Sequence, residues 1–310
     1  MEFESAGQPL THTPVMVAEV LEHLAPDRGG LFIDCTIGLG GHARALLAAG
    51  ASRLLGLDRD PVALARSRDA LAAFGDRVEL VHSDYRELPN VLDARGIATV
   101  DGVVADLGVS SMQLDAPDRG FSFRRDEVLD MRMDTSQGST AAEMLTAVDE
   151  QTLADVIYRF GEERHARRVA RAILAARSQA PLTTTGRLAE VVRRAIPRKG
   201  YSRIDPATRT FQAIRIWVNR ELESLDAFLG HAVGRLNVGG RMAVITFHSL
   251  EDRIVKHTFR ALQAEGRVTI RTKRPAVPSA AEVDDNPRAR SAKLRAVERA
   301  GRTSQNGESA

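Results

Sequence analysis

Residues 31–58 constrain the fold of this chain more than any other stretch. One apolar run ends at Asp34, a turn containing Gly38 and Gly40 follows, a helical pattern comes next, and a second apolar run ends at Asp58. This order predicts a strand, a glycine turn, a helix and a parallel strand. Glycines let a backbone approach a nucleotide, and an acid at the second strand end can accept both ribose hydroxyls. The pattern predicts a site for an adenosine-bearing cofactor, with a purely structural turn as the alternative.

The rest of the chain extends this unit into a larger sheet. Apolar runs at 77–82, 101–106 and 241–247 predict buried strands, and 267–271 with 293–298 alternate like a hairpin at an edge. The sequence thus predicts an α/β protein with a doubly wound sheet of about seven strands. Ligands of such sheets lie over the carboxyl ends of the strands. Asp84 and Tyr85 are expected there, near an adenine ring, and Asp106 is expected at the same strand ends as the glycine turn.

A long interruption separates the fourth predicted strand from the fifth. Residues 115–137 are irregular and highly charged, and helical patterns follow near 139–148, 150–160, 162–177 and 185–195. A further helix, from about Asp205 to Leu229, keeps an apolar spacing of three to four and is predicted to pack on the sheet. The predicted domains are a core of 1–112 plus 206–300, an inserted basic helical subdomain of 113–205, and a mobile tail of 301–310.

The positive charge of the chain is concentrated in this insertion. Between Arg159 and Arg220 there are 15 Lys and Arg against 4 Asp and Glu, a local charge of +11, whereas the whole chain carries +2. A basic segment on an otherwise acidic molecule indicates a polyanionic partner. A helix face made only of arginine is typical of phosphate contacts, with a solvated face as the alternative. The residues predicted to make such contacts are Arg164, Arg167, Arg168, Arg171, Arg198 and Lys199.

Two aromatic residues in the irregular stretch leave two interpretations open. Phe121 and Phe123 lie beside several arginines, so they either anchor the stretch in an apolar core or stack on a base.

Composition excludes several other classes of protein. The single cysteine, Cys35, excludes an internal disulfide and suits a reducing compartment. No apolar run approaches the ~20 residues that a membrane span needs, and the N-terminus lacks the pattern of a signal peptide. A cytoplasmic protein that does not contact a membrane is expected. No cluster of His, Cys, Asp and Glu has the spacing of a metal site, so no metal is predicted.

Nine blocks of this sequence match one known family when they are taken together. They are residues 12–15, 34–42, 58–61, 106–111, 119–123, 129–134, 206–212, 247–253 and 286–291. Together they resemble the MraW/RsmH family, bacterial S-adenosylmethionine-dependent methyltransferases that act on 16S ribosomal RNA. The resemblance covers the chain from His12 to about Glu298, and it implies a class I, Rossmann-like methyltransferase fold with S-adenosylmethionine as the cofactor.

The resemblance also implies the reaction and the cofactor-binding positions. The expected reaction is N4-methylation of one cytidine in the decoding centre of 16S rRNA, cytidine 1402 in the family, with the small ribosomal subunit as substrate. The contacts of the basic helical subdomain are then contacts to RNA. Tyr85 stands where an aromatic Phe is familiar, so stacking is retained and a hydroxyl is added. The positions implied for cofactor binding are Gly40, Gly41, His42, Asp58, Tyr85, Asp106 and Gln113.

Catalytic candidates follow the fourth and fifth predicted strands. Many amino-methyltransferases carry an Asp-Pro-Pro-Tyr type motif after the fourth strand, but here Asp106 is followed by Leu, Gly and Val. Asp106 could therefore hold the cofactor or accept an N–H of the target amine. The candidate catalytic residues are Asp106, Ser110, Ser111 and His248, and the target cytidine must be flipped out of its stack to reach them.

Two other classes of function remain open on the sequence. A nicotinamide-dependent oxidoreductase uses the same glycine turn and acid, although a second nucleotide-binding half is missing here. A ribosome-assembly factor that binds RNA without catalysis is the other alternative. The oligomeric state, monomer or dimer, is left open.

Overall fold

A seven-stranded sheet is the centre of the fold. The computed structural model describes residues 14–197 and 205–301, and its strands lie in the order β3-β2-β1-β4-β5-β7-β6. The strands are β1 Leu31–Asp34, β2 Arg53–Asp58, β3 Val78–His82, β4 Val100–Asp106, β5 Leu236–Thr246, β6 Val268–Ile270 and β7 Lys293–Arg299. The predicted number of strands and the doubly wound α/β class are confirmed.

Strand direction fixes where a ligand can lie. β1 to β5 are parallel to one another, whereas β7 runs antiparallel to both β5 and β6. The chain passes from β1 outward through β2 to β3 and then returns to place β4 on the other side of β1. Ligands of open α/β sheets bind at such a reversal, outside the carboxyl ends of the strands.

Helices cover both faces of the sheet and also form a separate layer. The helices are α1 Val17–Leu24, α2 Gly41–Ala48, α3 Pro61–Leu71, α4 Leu88–Asp93, α5 Ser111–Asp115, α6 Ala141–Ala147, α7 Glu150–Gly161, α8 Ala166–Gln179, α9 Thr185–Ala195, α10 Ala207–Asn219, α11 Leu225–Gly234, α12 Ser249–Ala264 and α13 Ala280–Asp285. Neighbouring residues of a strand point to opposite faces, so Val103 belongs to the apolar cluster with α4, α11 and α12, and Val104 to the cluster with α1, α2 and α3. Helices α6 to α10 share a third apolar cluster and are called the helical layer. No helix among the described residues is long and apolar enough to cross a membrane.

The helix predicted from about Asp205 to Leu229 is two helices. Arg220 adopts a left-handed conformation with φ of 51° and ends α10, and α11 begins at Leu225. Only α11 packs on the sheet, because Phe211 and Ile214 of α10 belong to the apolar cluster of α6 to α9. The prediction that the whole stretch packs on the sheet was wrong. The domain boundary at residue 205 stays a prediction, and these contacts favour moving it to the end of α10.

The arginine-rich helix begins later than the sequence predicted. Glu162 is left-handed, with φ of 49°, and ends α7, and Glu163 lies in the turn before α8. Neither acid is in the first turn of α8, so neither interacts favourably with the dipole of that helix. Arg164 lies in that turn, and Arg167, Arg168 and Arg171 lie on the helix itself.

The irregular stretch before α6 is tied to both layers. Arg119 donates to the buried Asp60 carboxylate at 2.9 Å and to the backbone oxygens of residues 132 and 133. Phe121 is buried, and the ring of Phe123 meets that of Phe211 edge-on at 4.7 Å. The stretch therefore connects the N-terminus of α3, beside the strand ends, with the helical layer.

Candidate functional site

A cleft of about 360 Å³ opens over the carboxyl ends of the parallel strands. Its walls are the glycine turn after β1, the residues that follow β2, β3 and β4, and the N-terminal ends of α5 and α12. The helical layer contributes Gln212 and Arg215 from α10. The cleft therefore lies between the sheet and the helical layer, at the place where the sequence predicted the cofactor.

The glycine turn favours residues that have no side chain. Gly38 and Gly40 have φ of 52° and 78°, which side chains disfavour, and a Cβ on Gly41 would lie 2.7 Å from the Pro14 side chain. Asp58 fixes the turn, because one carboxylate oxygen accepts the Gly38 N–H at 2.8 Å while the other accepts the Asp60 N–H at 2.9 Å.

Six of the seven residues expected to bind the cofactor line this cleft. They are Gly41, His42, Asp58, Tyr85, Asp106 and Gln113. The seventh, Gly40, does not line it: it caps α2, and a Cβ there would lie 3.0 Å from the Leu71 side chain. Whether these residues hold the cofactor stays a prediction, which their shared location supports.

His42 and Tyr85 also make structural contacts. His42 Nε2 lies 2.9 Å from the Val15 carbonyl oxygen, which requires the proton on Nε2. The Tyr85 hydroxyl donates to the Glu221 carbonyl at 3.1 Å, and its ring lies 4.6 Å from that of Phe228. Burial raises the pKa of the Tyr85 hydroxyl. Tyr85 therefore offers the cleft a neutral, firmly held ring.

Gln113 joins the cleft to the loop network beside it. Its side-chain nitrogen donates to Asp60 at 2.9 Å, and its side-chain oxygen accepts the Ser110 N–H at 3.1 Å. The Ser110 hydroxyl accepts the Gln113 N–H in return, which completes a capping box on α5.

Four carboxyl groups lie at or just after the ends of the first four strands, and those of Asp58, Asp84 and Asp106 line the cleft. Asp34 is buried and Asp106 is half-buried, and each has one buried side-chain oxygen without a hydrogen-bond partner in the part of the chain that the structure describes. Burial is the largest cause that raises the pKa of Asp34, Asp58 and Asp106. Burial also acts on Asp84, but its bonds to Arg86 and the charge of Arg59 outweigh it and lower the pKa. A cationic group would compensate these acids, because it favours their charged forms.

The pKa of Asp34 gives a pH dependence of stability. Burial raises this pKa to about 7, above the ordinary 3.8, so the folded chain keeps a proton that the unfolded chain loses. The contribution of Asp34 to stability is thus lost as the pH rises through about 7. Lowering the pH from about 8 to about 6 should return about 1.4 kcal/mol from this group.

Replacing Asp34→Asn should remove that increment. Urea unfolding of both proteins at the two pH values measures it as the difference between their changes in unfolding free energy. Identical pH profiles for the wild type and Asp34→Asn would contradict a raised pKa at this position.

The four catalytic candidates lie together in the cleft, but their side chains are not equally available. The Ser110 hydroxyl is used in its capping box, whereas Ser111 is half-buried in the cleft wall. His248 caps α12, with Nδ1 accepting the Glu251 N–H at 3.4 Å. Its Nε2 lies 3.1 Å from a Glu251 oxygen, yet no hydrogen bond satisfies it among the described residues. Asp106 and His248 thus present unsatisfied polar atoms.

Three charged residues of the cleft were missed by sequence reasoning. Arg215 donates to both oxygens of Glu221, at 2.9 and 2.8 Å, and Glu251 accepts the backbone N–H of Phe247 at 2.9 Å. Burial works to raise the pKa of Glu251, but His248 and Arg215 outweigh it and lower that pKa. No local spacing marks this set, because its members come from α10, the turn after it and α12.

Glu221, His248 and Glu251 also offer three ligand atoms within 4.8 Å of one another. Two observations oppose a metal there. The Arg215 guanidinium already neutralises Glu221, and the bond at His248 Nδ1 places the proton of the neutral ring on Nε2, the atom that would face the ion. The cluster fits an ion-pair network around Arg215, and the expectation of no metal stays a prediction.

The residues predicted to contact RNA are divided between surface and core. Arg164, Arg167, Arg168 and Arg171 are exposed, and neither Arg167 nor Arg168 pairs with a carboxylate among the residues described. Arg198 and Lys199 lie outside the described residues. Phe121 and Phe123 pack in the helical layer, which favours the core-anchoring alternative, and stacking on a base stays a prediction.

Comparison with known proteins gives the family. A model of the MraW methylase family matches residues 9–300. Ribosomal RNA small subunit methyltransferase H of Rhodopseudomonas palustris (strain TIE-1) is 50% identical over 302 residues, 93% of this chain and 90% of the relative. The protein of that name from Pelobacter propionicus is 48% identical over 307 residues, 93% of this chain and 98% of the relative.

A solved structure that the chain matches is an rRNA methylase from Streptococcus thermophilus. It is 13% identical and covers 92% of this chain and 94% of its own, with a TM-score of 0.41.

The Rossmann-like sheet, the cleft at its strand ends and the family match define a methyltransferase. The chain belongs to the MraW methylase family. This membership confirms the resemblance seen in the sequence and, with it, S-adenosylmethionine as the cofactor. The nicotinamide-dependent oxidoreductase has no support from the comparisons.

Proposed function

We propose that this protein transfers a methyl group from S-adenosylmethionine to N4 of a decoding-centre cytidine, cytidine 1402, in 16S rRNA of the small ribosomal subunit. The names of its relatives support a small-subunit rRNA substrate, and the proposed place of the reaction is the cytoplasm. The observation that carries the proposal is the position of the cleft: acid-lined at the strand ends, and bounded on its other side by the basic helical layer.

The cleft residues fit the methyl donor. Asp58 would accept ribose hydroxyls, and Tyr85 would flank the adenine. The Asp106 carboxyl, which lines the cleft, would complement a ligand that carries positive charge. Gly40, behind the turn, keeps the backbone of Gly41 and His42 in place beside the ligand. When bound, the donor supplies an activated methyl group, so the main task of the protein is alignment, which can contribute about 7–11 kcal/mol at the favourable limit.

Polar side chains of the cleft are chemically suited to the edge of a cytosine. Cytosine N4 donates, whereas N3 and O2 accept. Asp106 would accept an N4–H, which would return electron density to a poorly nucleophilic amine. The half-buried Ser111 hydroxyl would donate to a ring acceptor, and His248, whose Nε2 lies 3.1 Å from Glu251, would be the alternative donor. The target base must be flipped out to make these contacts.

Replacing Asp106→Ala should therefore slow methyl transfer about tenfold, the usual worth of one hydrogen bond, through kcat rather than through KM for RNA. Single-turnover kinetics with saturating donor measure this. Ser110→Ala removes a side chain of the same loop whose hydroxyl is already used in a cap, and it serves as the matched control. Full transfer with unchanged donor affinity in Asp106→Ala would remove Asp106 from both roles.

The reaction itself is tested with labelled S-adenosylmethionine and small subunits that lack the modification. Digestion of the RNA to nucleosides should place the label in N4-methylcytidine, at the proposed position. Gly40→Trp, which forces a side chain into the Leu71 contact, is the inactive control, with its folding checked by circular dichroism. RNA binding without any transfer would favour the assembly factor, and label on another nucleoside would refute N4 specificity.

A further inference from the structure

A second concave site lies beside the cleft, and none of its lining residues has a role in the proposed methyl transfer. This groove, of about 560 Å³, runs between the ends of α7 and α10 and the first turns of α12. We call it the Trp217 groove. It is lined by Arg159, Phe160, Ile216, Trp217, Arg220, Leu222, Glu223, Leu250, Arg253 and Ile254. Its volume is in the range of sites for small molecules or single nucleotides.

Apolar surface and positive charge occur together in the Trp217 groove. Three arginines line it against one acid, Glu223, which is paired with Arg220. The Arg159 guanidinium lies 5.9 Å from the centre of the Phe160 ring and pairs with no carboxylate in the described ranges. Trp217 is partly exposed and packs against the helical layer. Aromatic rings with arginines beside them are how proteins hold single-stranded RNA.

The Trp217 groove and the cleft are neighbouring sites. On α10, Arg215 lines the cleft, whereas the next two residues, Ile216 and Trp217, line the groove. On α12, His248 at the N-cap lines the cleft and Leu250 lines the groove. The two linings share no residue among those described, and helix residues two apart point to different sides, so the sites lie on different sides of these helix segments.

The boundary between the two sites is held by a polar bridge. Glu162, at the end of α7, accepts from the Ser249 hydroxyl at 2.7 Å and from Arg253 at 3.2 Å. The bridge fixes the helical layer to the first turn of α12. His248 is the N-cap residue directly before that turn. The relative position of cleft and groove is thereby set by contacts within the protein.

We propose that the Trp217 groove binds the nucleotide adjacent to the target cytidine. Its base stacks on Trp217, and its phosphate is held by Arg159. This deepens the proposed function and rests on it. A nucleotide is favoured over an apolar partner by the charge of the lining, and the flipped target base requires that its neighbours be held away from their own stack.

Trp217 is the only tryptophan of the chain, so its fluorescence reports on the groove alone. Adding single-stranded oligocytidylate to the wild type should quench this fluorescence. Cytidine monophosphate, which fills the cleft without a neighbouring nucleotide, should change it little. RNA binding seen by anisotropy without any change in Trp217 fluorescence would overturn the groove.

Two substitutions and a matched control complete the test. Trp217→Ala should weaken oligocytidylate binding about tenfold, while Trp217→Phe keeps a ring and should lose much less. The control is Tyr158→Ala, which removes an exposed aromatic side chain of α7 that does not line the groove. This variant should bind oligocytidylate as tightly as the wild type does. Equal losses in Trp217→Ala and Tyr158→Ala would overturn the assignment.

The same measurements separate this inference from the proposed function. Quenching by RNA with no methyl transfer would refute the reaction while keeping the groove. Methyl transfer and normal affinity in Trp217→Ala would refute the groove while keeping the reaction. Fluorescence that changes with protein concentration in the absence of RNA would show that a second copy covers Trp217, which contradicts the proposal.

Discussion

Replacing Arg167, Arg168 and Arg171 with glutamate should weaken RNA binding about a hundredfold near 0.1 M salt. These side chains lie on the exposed face of α8. Within residues 14–197 and 205–301, the only carboxylate contact among them is between Arg171 and Glu150 at 3.4 Å, at the surface. Each lost phosphate contact on a single strand removes about 0.7 from the slope of log affinity against log salt. The variant should therefore show both the weaker binding and a slope shallower by about 2.

A matched control must carry the same change of charge on another surface. Arg66 and Arg68 of α3 and Arg260 of α12 are exposed and belong to the sheet layers rather than to the helical layer. Reversing these three should leave the salt slope nearly unchanged. Cofactor affinity should be the same in both variants. Equal methylation of small subunits by the α8 variant and the wild type would count against α8 as the RNA-docking face.

Replacing Asp58→Asn should lower the affinity for S-adenosylmethionine about a hundredfold. Both oxygens of Asp58 accept backbone N–H groups, from Gly38 and Asp60, and asparagine has one acceptor oxygen in place of two. Its NH₂ group would therefore face an N–H of the turn. The change also removes the charged acceptor for the ribose, worth about 1.5–3 kcal/mol for a hydrogen bond to a charged group. Isothermal titration calorimetry measures the loss.

The control for this substitution lies at the opposite, N-terminal end of the parallel strands. Asp101, at the start of β4, also accepts with both oxygens, from the Leu31 N–H and from Asn237, each at 2.8 Å. Asp101→Asn should lower thermal stability while leaving cofactor affinity within about twofold of the wild type. If Asp58→Asn bound the donor as tightly as Asp101→Asn does, the ribose role of Asp58 would be wrong.

Much of the sheet and its cleft could be predicted because the decisive signals are local. The glycines after β1 and the acid at the end of β2 report their backbone and charge requirements within 28 residues of sequence. The buried parallel strand β4 is nearly continuous in apolar residues, and Asp106 follows directly at its end. Parallel packing then brings such strand ends together, which is why six expected residues share one cleft.

What escaped prediction depends on contacts between distant parts of the chain. The left-handed turn at Arg220 interrupts an apolar period that is otherwise continuous, so the break between α10 and α11 was invisible. Arg215 and Glu251 also looked like ordinary polar positions of amphipathic helices. Their role is seen only in the folded chain, where α10 and α12 both line the cleft. The hydrophobic periodicity of one helix does not predict which other helix lies near it.

The position of the methyl donor can be seen in a crystal structure with S-adenosylmethionine bound. We expect electron density for the adenosine across the carboxyl ends of β1, β2 and β4. Both ribose hydroxyls should lie within hydrogen-bonding distance of the Asp58 carboxylate, and the adenine should lie beside Tyr85. Donor density at another place, or a ribose turned away from Asp58, would refute a cofactor site at these strand ends.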